Sequence, residues 1–206
     1  MTFPDSSYPT SGDYADEYFS EAAKAAASVD RDKLNEAAGL LTKIYAAGGI
    51  VFSCGNGGSA AIANHLVCDH CKLVRTDTDL SSKVVSLSTT IEMITAIAND
   101  ISYDEIFSYQ LRTLASSGDA LVTISSSGDS ENVVRAALWA KENDIPVISM
   151  TGFSGGRTSK IADINLHVHA ENYGIVEDVH QSLMHILAQY IRQAHMDKHL
   201  IKQRKF

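Results

Sequence analysis

Five short apolar runs set the strongest limit on what this chain can fold into. They are Ile50–Cys54, Val84–Ser88, Ala120–Ser125, Val147–Thr151 and Ile164–Val168. Runs of about five residues with little polar alternation read as strands buried on both faces. Most of them are separated by helix-patterned stretches, which is the rhythm of parallel strands joined by helical crossovers. The pattern predicts a doubly wound α/β domain, with a parallel sheet covered by helices on both sides. Two helices precede the first strand as an N-terminal extension. One covers Tyr14 to about Ser28; the other is capped by Asp30, runs through Tyr45 and is stopped by Gly48-Gly49. Later helices are expected over about Ala60–Lys72, Ile91–Ala98, Glu105–Leu114, the segment through Val133, Ala137 and Ala140, and about Ile175–Met196.

A chain of 206 residues suits one such domain. The organisation read from composition is a flexible arm over 1–13, a single domain over 14–196 and a basic, solvated tail over 197–206. The first dozen residues carry two Pro, one Gly and five Ser or Thr, which is why they read as an arm. Lys plus Arg is 17 and Asp plus Glu is 25, giving a net charge of −8. Such a balance does not suit nucleic acid or an anionic membrane surface, both of which need a basic face. No run approaches the roughly 18 apolar residues of a membrane-spanning helix. The N-terminus lacks a basic start followed by an apolar run, so it does not read as a secretory signal. Three cysteines, Cys54, Cys68 and Cys71, are an odd number in a chain large enough to hold a core without disulfides. This favours a reducing, cytoplasmic setting, with buried thiols rather than a redox pair.

Ligands of an open parallel sheet bind outside the carboxyl ends of its strands. Two small-residue loops fall there. Gly55-Asn56-Gly57-Gly58-Ser59 follows the first strand, and Ser125-Ser126-Ser127-Gly128-Asp129-Ser130 follows the third. Each opens onto a helix N-terminus, which offers unpaired N–H groups, a positive dipole end and hydroxyl donors. That chemistry fits a phosphate monoester, although either loop alone is equally read as a tight turn with a serine cap. Neither is a Walker or dinucleotide motif.

A second cluster carries metal-binding side chains. His65 and Asp69 are four apart on the helix after the first loop and share one face. On the last helix Glu177, Gln181 and His185 are spaced four and four, again on one face. If the two faces meet, His65, Asp69, Glu177 and His185 form a two-histidine, two-carboxylate site for zinc or another divalent metal. An isolated His/Asp pair at this spacing is also a common exposed hydrogen-bonded pair. His167 and His169 alternate on the fifth strand and read as structural or surface residues.

The loop at 55–59, the run Ala98-Asn99-Asp100, the loop at 125–130, the strand ending at Thr151-Gly152 and the helix around Glu177–Leu187 together resemble a sugar isomerase (SIS) domain. The nearest resemblance is to phosphoheptose isomerases, which convert sedoheptulose 7-phosphate to D-glycero-D-manno-heptose 7-phosphate. It runs from Tyr14 to about Gln193. It implies a flavodoxin-like five-stranded sheet and a homotetramer with active sites at subunit interfaces. It also implies that Ser59, Ser125, Ser126, Ser127 and Ser130 hold the phosphate beside Gly57 and Gly58. Asn56 would touch the sugar, and Asn99 and Asp100 would sit on the substrate side. Zinc would be held at His65, Asp69, Glu177 and His185. The chain departs from the family pattern at three of these places: Asp69 stands for a Glu, Glu177 for a Gln, and Gly174 for an Asp, with Ile175 following in place of an Arg.

The reaction so implied is proton transfer between neighbouring carbons through an enediol(ate). Asp69 is the expected base, or Glu177 where Asp69 cannot reach, and His185 relays protons to the oxygens. The alternatives are an isomerase of another phosphosugar, or a non-catalytic SIS module that binds a phosphosugar or a replication-initiator protein. Retention of Asp69, Glu177 and His185 favours catalysis.

Overall fold

The computed structural model describes residues 2–206. Its centre is a five-stranded parallel sheet of β1 (Ile50–Cys54), β2 (Lys83–Ser86), β3 (Ala120–Ser125), β4 (Val147–Thr151) and β5 (Ile164–His167). The strand order is β2-β1-β3-β4-β5, with every neighbouring pair parallel. That is the flavodoxin-like order, and its switch point lies between β1 and β3. β3 and β4 are buried at every position, as expected of central strands covered on both faces.

Alternate residues of the strands feed two separate cores. Val51, Val122, Ile124, Ile148 and Met150 pack on one face beneath α1 (Ser11–Ala27), α2 (Arg31–Ala46), α3 (Gly58–Cys68) and α8 (Tyr173–His195). Phe52, Cys54, Leu121 and Val147 pack on the other, beneath α4 (Ile91–Asp100), α5 (Ser108–Leu114) and α6 (Glu131–Glu142). A four-residue α7 (Thr158–Ile161) joins β4 to β5. Asp30 does cap α2, its Oδ1 accepting from the backbone N–H groups of Asp32 and Lys33 at 2.8 and 3.1 Å. After Cys68 the α3 helix widens into a π-helical turn over Asp69–Val74. Among the described residues no helix is long and apolar enough to cross a membrane.

Three expectations need correction. The arm is packed rather than loose. Phe3 is buried in the first core and meets the rings of Tyr8, Tyr14 and Tyr18 at centroid distances of 4.9–5.9 Å. Its carbonyl accepts from Asn172 at 2.9 Å, and α1 starts at Ser11 on a Thr10 cap. Burying one aromatic ring is enough to order so short a segment. The tail is docked as well. Its last residues form a 3₁₀ turn (Lys198–Gln203), Arg204 pairs with Asp77, and the Phe206 ring lies 5.0 Å from the Arg192 guanidinium. Finally, Cys68 and Cys71 are exposed, because the apolar face of α3 is carried by Ile62, Ala63 and Leu66. Cys71 Sγ accepts from the Val84 N–H at 3.3 Å, which ties the π turn to the edge strand. Cys54 alone is buried, and burial pushes its thiol pKa up.

Candidate active site

Both small-residue loops reach the switch point between β1 and β3, on the carboxyl side of the sheet. They enclose a cavity of about 150 Å³ lined by Asn56, Ser59, Ser125, Ser126, Ser127, Ser130, Tyr173 and Glu177, with Ile124 at its floor. Three features suit it to an anion. The α3 helix starts on Gly57 and α6 on Ser130, and neither start has a side-chain cap, so the first N–H groups of both helices are free for a ligand. The Ser126 hydroxyl is buried in the cavity wall with no hydrogen-bond partner. A polar group so placed in a native protein is matched by a ligand or solvent. The rest of the loop is already ordered: the Gly128 N–H donates to Ser125 Oγ at 3.1 Å and the Asp129 N–H to Ser127 Oγ at 3.3 Å.

The loop is braced from the next strand connection. Arg157 donates from its backbone N–H and its Nε to Asp129 Oδ1, each at 3.0 Å, and from Nη1 to Glu131 at 2.8 Å. Gly128, at φ 67°, sits so close to the Gly155 carbonyl that any β-carbon there would collide with it. On the other side of the cavity Asn56 is locked by an amide pair. It donates to Asn132 at 2.9 Å, accepts from Asn132 at 3.1 Å, and accepts from Tyr103 Oη at 3.0 Å.

The second cluster forms where α3 and its π turn meet α8. Asp69 accepts from His185 Nδ1 at 2.7 Å through one oxygen, and its other oxygen lies 3.4 Å from His65 Nε2. The two imidazoles cross edge to face at 5.0 Å. Gln181 closes the ring, its amide nitrogen 3.1 Å from His65 Nδ1 and 2.9 Å from His185 Nε2. One ligand atom each from His65, Asp69 and His185 fall within 4.8 Å of one another. Two imidazole nitrogens and a carboxylate oxygen at that spacing are a donor set for a divalent transition metal.

Glu177, expected as the fourth ligand, lies outside this cluster. It lies eight residues from His185, about 12 Å along the helix axis. Its carboxylate leans instead against Gly58, in space that a β-carbon would fill, and lines the serine-walled cavity. Burial, and then the charge of Asp178, raise the Glu177 pKa above the usual carboxylate value. Asn99 and Asp100 are also not brought to the cavity. They are exposed at the end of α4, bonded to each other at 2.7 Å.

Gln181 shares the sequence-predicted face of α8 but was not among the four expected ligands. Sequence pattern does not single out Asn132 or Tyr103; the one available signal is an uncharged Asn just inside the helix that follows the loop at 125–130. Gly174 is explained by its neighbour. The Tyr18 hydroxyl occupies the space a side chain there would need and donates to Asp178 at 2.6 Å.

The SIS domain family matches residues 14–152. A phosphoheptose isomerase from Colwellia psychrerythraea is 37% identical over 170 residues, covering 81% of this chain and 86% of that protein. Among solved structures, the phosphoheptose isomerase of Neisseria gonorrhoeae superposes with a TM-score of 0.81 at 33% identity, covering 88% of this chain and 98% of the other. That of Francisella tularensis gives 0.80 at 31% identity, with 89% and 99% covered. On these grounds the chain belongs to the SIS domain family, in its phosphoheptose isomerase group.

Proposed function

We propose that this protein is an aldose–ketose isomerase that interconverts sedoheptulose 7-phosphate and D-glycero-D-manno-heptose 7-phosphate. The observation that carries the reading is a phosphate cradle at the switch point with a carboxylate in its wall, on the same helix as a histidine–carboxylate cluster. The relatives named phosphoheptose isomerase supply the substrate assignment.

In this reading Ser59, Ser125, Ser126, Ser127 and Ser130, with the N–H groups following Gly57 and Ser130, hold the phosphate. Binding energy from that remote group positions the reacting carbons. Asn56, fixed by Asn132 and Tyr103, contacts the sugar chain. Asp69, Glu177 and His185 are the acid–base groups, each worth about 10²–10⁴-fold when positioned at a proton in flight. His65, Asp69 and His185 hold a divalent metal, zinc being the ion this donor set suits best. When bound, it supplies Lewis-acid stabilisation of negative charge on oxygen.

The resemblance further supports a cytoplasmic homotetramer with its sites at subunit interfaces, where Asn99 and Asp100 would meet substrate. The test is an assay of the purified, zinc-supplemented protein on sedoheptulose 7-phosphate. Appearance of the aldose supports the reading, and conversion of a different phosphosugar alone would replace the substrate. No conversion of any phosphosugar would leave only the binding module.

A further inference from the structure

β5 is an edge strand, and its carboxyl end carries two histidines that the isomerase chemistry does not use. His167 and His169 are two apart in extended chain, where the Val168 N–H still donates to the Thr151 carbonyl at 2.8 Å, so both side chains leave from one face. They line a cavity of about 350 Å³ between β5, the corner joining α1 to α2 and the loop before α7. It shares no lining residue with the serine-walled cavity. We propose that His167 and His169 form a second site for a divalent transition-metal ion, distinct from the cluster between α3 and α8. The proposal stands independently of the isomerase reading.

Ring spacing is one support. The two imidazoles cross edge to face at 84°, with centroids 4.5 Å apart. The His65 and His185 rings cross in the same way, at 85° and 5.0 Å. Zinc–nitrogen bonds of about 2.0–2.1 Å place the centroids of two imidazoles on adjacent corners of one ion roughly 4.5–5.2 Å apart. Both pairs have that spacing.

The position of the ring proton is another. Thr151 Oγ1 donates its one proton to Asn165 Oδ1 at 2.9 Å, so it accepts at its other contact, His167 Nδ1, also at 2.9 Å. Nδ1 of His167 therefore carries the ring proton, and Nε2 keeps its lone pair. An acceptor that fixes the far N–H in this way is the usual outer partner of a metal-bound histidine. His169 is held through its backbone N–H, which donates to Ser28 Oγ at 3.1 Å, and its ring makes no hydrogen bond to any described residue.

The charge around the pair also suits a cation. Asp30 is the one carboxylate among the lining residues; its Oδ1 caps α2, and its Oδ2 accepts no hydrogen bond from a described residue. Lys33, the one ammonium there, is paired with Glu36 at 2.8 and 3.1 Å. The two imidazoles leave the ion's remaining positions to Asp30 and water.

The test compares His185→Ala, which disables the α3–α8 cluster, with the same chain carrying His169→Gln as well. His169 is exposed, so adding its substitution should leave circular dichroism unchanged. Zinc per chain is counted after equilibrium dialysis, and copper(II) is titrated while backbone amides are followed by NMR. His185→Ala is expected to keep one zinc per chain, and the double variant to bind it at least about tenfold more weakly. Copper is expected to broaden the amides of 28–33 and 165–169 first, and to spare them in the double variant. His169→Gln alone should lower the zinc bound by the parent by one per chain. No zinc on His185→Ala, zinc binding unchanged by His169→Gln, or copper broadening that starts elsewhere overturns the proposal.

Discussion

The two ends of the site are built by different means. One end, the serine-lined cavity proposed for the phosphate, consists of two continuous stretches, each following directly from a strand, and it presents mainly backbone N–H groups and serines. The chemical end joins side chains 116 residues apart in sequence, from α3 with its π turn and from α8. At the first end the topology fixes the geometry, because parallel strands deliver both loops to one crevice. At the second end one helical step of four residues, about 6 Å, separates a side chain in the histidine cluster from one in the serine-lined cavity. Glu177 and Gln181 differ by that one turn.

The contrast gives ordered predictions. Substitution at the chemical end should remove activity and spare the fold. Asp69→Ala and His185→Ala should each lower turnover by at least about 10²–10⁴-fold, with unchanged circular dichroism. Near-parent turnover in either would break the account of that end. Substitution of the loop backbone should do the reverse. Gly128→Ala places a β-carbon against the Gly155 carbonyl at a positive φ, so it should cost on the order of 1–3 kcal/mol. A lowered urea midpoint would register this, together with a raised KM.

A smaller effect is expected from the brace. Arg157 is half exposed, so its ion pairs with Asp129 and Glu131 contribute little to global stability. Arg157→Ala should therefore change the unfolding free energy by less than about 1 kcal/mol, but loosen the loop proposed to hold the phosphate. KM should rise roughly three- to tenfold with kcat nearly unchanged. An equal fall in kcat would mean that the brace also reaches the chemical end.

The smallest effect concerns the docked tail, outside both ends. Arg204 and Arg192 hold the Asp77 carboxyl down to about 2. A carboxylate with a depressed folded pKa stabilises the fold above its ordinary value of 3.8, and that contribution is lost as pH falls from there through about 2. Tail release, followed by protection of the Lys198–Phe206 amides, should occur in that window. Asp77→Asn should release the tail at neutral pH and leave turnover intact.

What could be read from sequence follows the same division. The parallel sheet and both serine–glycine loops rest on short-range pattern, whereas the flavodoxin-like strand order is what the family resemblance implies; the structure has all of them. Strand boundaries differ by a residue or two, as at β2, which ends at Ser86 rather than Ser88. His65, Asp69 and His185 were also legible, because i, i+4 spacing is a local rule and α3 and α8 pack on the same face of the sheet. The fourth partner was not. Spacing places Glu177 and Gln181 on one face of α8 equally well, and only the packing of Gly58 against Glu177 separates them. The arm and tail were misread for a related reason. Their composition is that of a mobile segment, and what orders them is a few long-range contacts, from Phe3 to the α1 tyrosines and Asn172 and from Arg204 to Asp77.

The most direct test of the account is to incubate the zinc-loaded protein with sedoheptulose 7-phosphate in heavy water and follow the sugar by NMR. The account predicts the heptose 7-phosphate aldose, with solvent deuterium at C2 in proportion to exchange at the base. An unchanged sugar with no deuterium incorporated, from a folded protein with zinc in place, would contradict it.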